Sequence, residues 1–168
     1  LALTLGATAA RAEDIDLFVQ PGGASNAPNV LIVLDNTANW NSPFVYEKQA
    51  LIDTVNTLAV PTGAPAKIKI GLMMFTESGG QNKGEDGGYV RAAVRPFSGT
   101  YQTAFKNLVT SLDRNEDKSN GGKAGKTMAD AYAYFAGKTP RTGNYKVKTD
   151  YTGNTSGTAQ SKAIYALG

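Results

Sequence analysis

The chain of 168 residues is 41% hydrophobic and 18% charged, which suits one globular domain with a real core and excludes disorder in bulk. It has no cysteine and no histidine, which removes disulfides, a thiolate nucleophile, an imidazole base and zinc-finger spacing; metal chemistry would have to use oxygen ligands and so favours Mg2+, Ca2+ or Mn2+. The 17 basic residues are scattered among 14 acidic ones, for a net charge of +3, without the clustered basic face of a nucleic-acid binder.

Leu1 comes first and the methionines are Met73, Met74 and Met128, so the start of the chain is expected to have been cut. Residues 1–12, LALTLGATAARA, are apolar and small, and Ala10-Arg11-Ala12 has the A-x-A form that signal peptidase accepts. They are expected to be the tail of a secretory signal, with a short N-terminal helix as the alternative. The run is far short of the roughly 20 residues of a transmembrane helix, so no transmembrane segment is expected. Residues 13–28 are expected to form an extended arm, with a weak strand signal in EDIDLFVQ that stops at Pro21-Gly22-Gly23.

At 29–41, NVLIVLDNTANWN, five consecutive apolar residues from Val30 to Leu34 run into Asp35. This predicts a strand buried on both faces, in a mostly parallel sheet flanked by helices, with a carboxylate at the strand end where ligands collect. Asn41-Ser42-Pro43 then offers an N-cap followed by proline at the first helical position. Phe44, Leu51, Val55 and Leu58 share one helical face, and Pro61-Thr62-Gly63 supplies the stop. A second central strand is predicted over 68–75, IKIGLMMF, parallel to the first through a crossover.

Residues 76–88 are rich in glycine and charge and read as an exposed loop. From Tyr89 the chain alternates through Val90, Ala92 and Val94, with Arg91, Ala93 and Arg95 between; Pro96 marks an edge strand, antiparallel to its neighbour. Tyr101, Ala104, Phe105, Leu108 and Leu112 make the buried face of a second helix. After a polar run, Thr127 is expected to open a third helix with Met128, Ala131, Tyr132 and Phe135 as its buried stripe and Gly137 as its stop. Residues 138–168 lack a buried-strand pattern and read as an insertion or long loop, most clearly over 138–158. A sheet that ends after three strands is short for this class, so the α/β domain is expected to be truncated before its later strands.

Asp35, Thr37 and Asn39 lie two residues apart in a loop leaving a buried strand, and can turn three oxygens toward one hard cation. The alternative is a solvated turn in which Asp and Asn side chains bond their own backbone. Thr127 with Asp130 also forms a capping-box pattern, T-x-x-D. Gly125-Lys126-Thr127 imitates the end of a phosphate-binding loop, but Asn120 stands where the first glycine is needed and no strand precedes it. A calcium loop starting at Asp113 fails at its sixth and twelfth positions, Lys118 and Ala124. A phosphatase of the haloacid-dehalogenase kind needs two carboxylates spaced by one residue, and Val33 or Thr37 occupies the second position whichever way Asp35 is assigned.

On these residues the chain resembles the von Willebrand factor A domain, a Rossmann-like α/β fold. Its metal-ion-dependent adhesion site begins Asp-x-Ser-x-Ser after the first strand, adds a threonine before a later helix, and takes an aspartate after the fourth strand. The resemblance maps Asp35 and Thr37 onto the first two positions and Thr127 onto the loop threonine. Asn39 departs from the third serine, and Asp150, the acidic residue after Asp130, lies in KVKTDYTG rather than after a buried strand. Within A domains, NVLIVLDNTANWN, KIKIGLMMF, KTMADAYAYFAG and the closing SKAIYALG are most similar to the N-terminal part of the type IV pilus tip-associated adhesin family. The resemblance implies a non-enzymatic adhesion or assembly domain of an exported protein, in the periplasm, at the outer surface or at the pilus tip. Its partners would be minor pilins or a protein or surface ligand, bound through a cation at Asp35, Thr37, Asn39 and Thr127. A structural assembly domain with a vestigial site is the alternative.

Overall fold

The computed structural model describes residues 27–37, 41–76, 87–115, 117–119 and 123–138. The expected signal tail (1–12), most of the expected arm (13–28), Asn39, the interior of the 76–88 stretch, Asp150 and the expected insertion after Lys138 lie outside the described residues. Six elements follow in order: β1 (Asn29–Leu34), α1 (Asn41–Thr57), β2 (Lys69–Phe75), β3 (Gly88–Pro96), α2 (Gly99–Ser111) and α3 (Ala124–Phe135). The strands form a mixed sheet in the order β1-β2-β3, with β1 parallel and β3 antiparallel to β2.

The fold is α/β in three layers. Leu34 from β1, Phe44, Leu51 and Val55 from α1 and Phe105, Leu108 and Val109 from α2 close over Ile70, Leu72 and Met74 on one face of the sheet. Ala131 and Tyr134 from α3 cover Met73, Val90 and Val94 on the other. Alternate β2 residues thus enter different cores, which is why its pattern is apolar throughout rather than alternating. The predicted burial of β1 on both faces does not hold: Val30 is 36% exposed, and Leu34 is the one fully buried residue of the strand. Among the described residues β1 has one strand neighbour, and an apolar run reports a strand without reporting its place in the sheet.

The alternation expected along β3 is also broken. Leu72 pairs with Ala92 and Met73 with Val90, so Arg91 is an extra residue on β3; a second extra residue lies between Ala92 and Arg95. These bulges send Tyr89 and Ala92 into the α1/α2 core and Val90, Ala93 and Val94 into the α3 core. Two tyrosines replace ladder bonds there. The Tyr101 hydroxyl of α2 lies 2.7 Å from Ile70 O and 2.9 Å from Ala93 O, and the Tyr134 hydroxyl of α3 accepts from Val94 N at 2.7 Å. Backbone groups stranded by the irregular register are satisfied from both helical layers.

α2 follows its prediction, with Phe105 packing edge-on against Phe97 at 5.8 Å between ring centroids. Lys48 of α1 donates to Thr110 O at 3.1 Å and Leu112 O at 2.9 Å, placing an ammonium at the negative end of α2 and tying the two helices.

α3 differs from its prediction in two ways. It begins at Ala124, three residues before Thr127, and its buried side is Thr127, Asp130, Ala131, Ala133 and Tyr134. Met128, Tyr132 and Phe135 are 59%, 63% and 45% exposed. Two stripes offset by one residue fit the same helical period, and the more apolar one faces out because Asp130 and Tyr134 find hydrogen bonds on the sheet. The stop at Gly137 holds. With φ +62, it lets Gly137 N donate to Tyr134 O at 3.3 Å and Lys138 N to Ala133 O at 2.8 Å, the paired bonds of a Schellman end. No helix among the described residues is long and apolar enough to cross a membrane.

Candidate functional site

β1 and β2 run parallel, so their carboxyl ends meet, and the polar residues that follow each strand are brought together there. Asp35 and Thr37 form one local unit. Thr37 N donates to Asp35 Oδ1 at 2.8 Å, and Thr37 Oγ1 donates to the same oxygen at 2.5 Å. This is the turn in which an aspartate bonds its own backbone two residues on. It still leaves Asp35 Oδ2 and the lone pairs of the Thr37 hydroxyl as acceptors.

Asn36, between them, faces the opposite way and is buried. Its side chain copies a peptide group toward β2: Nδ2 donates to Phe75 O at 3.0 Å, and Oδ1 accepts from Phe75 N at 2.9 Å. Nδ2 also bonds Asp117 O. Ser119 N donates to Asn36 O at 2.7 Å, and Thr37 pairs with Ser119 in a parallel bridge. Ser119 Oγ donates to Thr76 O at 2.7 Å, and Lys123 Nζ reaches the same Thr76 O at 2.8 Å and Thr76 Oγ1 at 3.1 Å. A continuous buried polar network therefore joins the Asp35 turn, the end of β2 and the segment leading into α3.

Thr127 lies at this end of the sheet in the second turn of α3. A Cβ on Gly88 would come within 2.5 Å of Thr127 Cγ2, so the threonine methyl rests against the glycine backbone. Gly88 in turn pairs with Phe75, the residue that Asn36 holds. The capping-box expectation does not hold: Thr127 N makes an ordinary helical bond to Lys123 O at 2.9 Å, and Asp130 Oδ2 accepts from Gly88 N at 3.0 Å rather than closing a cap. Thr127 is fully buried, and its Oγ1 has no hydrogen-bond partner among the described residues.

The structure thus joins Asp35 to Thr37 directly and puts Thr127 at the same end of the sheet, without a hydrogen bond between Thr127 and either residue. Asn39 lies outside the described residues. Among the described residues the two buried carboxylates hold backbone, Asp117 accepting from Asp113 N at 2.8 Å and Asp130 from Gly88 N. Among the described residues no three carboxylates gather into a metal cage; the candidate ligands there are the Asp35 carboxylate and the Thr37 and Thr127 hydroxyls, hard oxygens of the kind that fit Mg2+, Ca2+ or Mn2+. Asn36, Thr76, Ser119 and Lys123 escaped the sequence reading because each binds a residue 39 to 47 positions away or takes its place through one that does.

No protein-family model, curated protein or solved structure matches the chain.

Proposed function

We propose that the chain is a non-enzymatic binding domain of the von Willebrand factor A type, from an exported type IV pilus-associated protein. In this reading it engages an acidic group of a pilin or surface partner through a divalent cation. The observation that carries it is the Thr127 hydroxyl, wholly buried and without a hydrogen-bond partner among the described residues, at the end of the sheet that also holds the Asp35 turn. A buried hydroxyl without a bond is costly, and a cation on its oxygen relieves that cost. Asp35 Oδ2, Thr37 Oγ1 and Thr127 Oγ1 would hold the ion, with Asn39 as the fourth candidate. When bound, the cation supplies an electrophile for a partner carboxylate, since one carboxylate among hydroxyls leaves it net positive. The chain's own part is positional: Asn36 pins the turn to β2, and Gly88 seats Thr127.

Titrating Mg2+, Ca2+ and Mn2+ into the wild-type chain and Asp35→Ala tests the reading by calorimetry and melting temperature. Saturable binding lost in the variant is expected; equal binding, or none, in both proteins overturns it. A second reading, an assembly domain with a vestigial site, is favoured by the Asp35–Thr37 turn, in which both Thr37 donors already bond Asp35 Oδ1 without an ion. Unchanged pilus assembly and surface attachment in an Asp35→Ala strain would select it.

A further inference from the structure

Lys123 brings a positive charge to the same end of the sheet as the proposed cation site. It precedes α3, is 9% exposed, and its ammonium is held by Thr76 O at 2.8 Å and Thr76 Oγ1 at 3.1 Å. Ser119 Oγ binds the same carbonyl, and Ser119 is the bridge partner of Thr37. Two donors on one oxygen lie within two hydrogen-bond lengths of each other, and bridged residues are about 5 Å apart. The ammonium is therefore on the order of 10 Å from the Asp35–Thr37 turn, where a unit charge and a divalent ion still interact by about 1–3 kcal/mol, on the order of tenfold in affinity.

Such an ammonium does for this end of the sheet part of what a metal ion does. It saturates the carbonyl of Thr76 at the end of β2 and adds a positive charge there. It also repels a second cation. We propose that Lys123 is a tethered cation that sets the divalent-metal affinity of the Asp35, Thr37 and Thr127 site, holding it weak. The inference rests on the metal reading given above, and its test separates the two.

The test compares Mn2+ binding, by electron paramagnetic resonance and calorimetry, in the full chain and in Lys123→Met, Lys123→Gln and Lys123→Arg, with circular dichroism to confirm folding. Glutamine keeps a donor toward Thr76 without the charge, and arginine keeps the charge. Met and Gln are expected to bind Mn2+ about tenfold tighter than wild type, Arg like wild type, and Asp35→Ala in the Gln background to abolish binding. If methionine prevents folding, the Gln and Arg proteins carry the comparison. Equal affinity in all lysine-site variants, with binding still dependent on Asp35, overturns the role of Lys123 and leaves the metal site standing. Weaker binding in both Met and Gln assigns Lys123 a structural role only and overturns the proposal. Absence of Mn2+ binding in every protein overturns both.

Discussion

At the scale of single residues, the division of labour in Asp35-Asn36-Thr37 is between an outward turn and an inward clamp. The Asn36 amide makes three hydrogen bonds to backbone groups 39 and 81 residues away, so its removal strands buried donors and acceptors on two segments at once. Asn36→Ala is expected to cost about 3 kcal/mol of folding stability, measured by urea denaturation with an unchanged m-value. Thr127 should behave in the opposite sense. Its oxygen is buried and has no hydrogen-bond partner among the described residues, so Thr127→Val, which keeps the shape, is expected to raise stability by about 1 kcal/mol in EDTA. The same substitution should abolish any stabilisation by Mn2+. A stability loss in EDTA would show that the hydroxyl has a protein partner and would remove the main support for the cation.

At the scale of elements, α3 shows how much of a helix's orientation is settled by its polar residues. Its apolar stripe of Met128, Tyr132 and Phe135 is exposed, while Asp130 and Tyr134 are buried because each completes a backbone bond on β3. Tyr134→Phe leaves Val94 N without its acceptor and is expected to cost about 2 kcal/mol. Tyr132→Ser, which loses an exposed ring under Lys138 at 4.9 Å, should cost less than about 1 kcal/mol. Thermal melts of the two variants side by side decide between the stripes, and a larger loss for Tyr132→Ser would restore the expected one.

At the scale of the whole molecule, the least expected feature is Arg91, inserted at a bulge in β3. It is fully buried, with none of its three guanidinium nitrogens hydrogen-bonded among the described residues. A guanidinium cannot shed its proton to escape that cost. Arg91→Met, of similar length and without charge, is therefore expected to raise stability by about 1–4 kcal/mol, read from the denaturation midpoint. A loss of comparable size would reveal an anionic partner for the arginine.

The element types, their order and the neighbours along the chain were legible in the residues alone. Apolar runs, the proline-glycine stop after α1, the heptad-like face of α2 and Gly137 are local signals, and each acts over a few residues of backbone. The sequence also marked Asp35 and Thr37 as a unit, because that turn closes on itself. Long-range packing alone settles that β2 rather than β1 is buried on both faces, that Arg91 goes inside, and which side of α3 faces the sheet. These depend on register and on polar partners 40 or more residues away. A two-fold or 3.6-fold pattern specifies which residues share a face; which face is inward is set by the hydrogen bonds and neighbours it meets there.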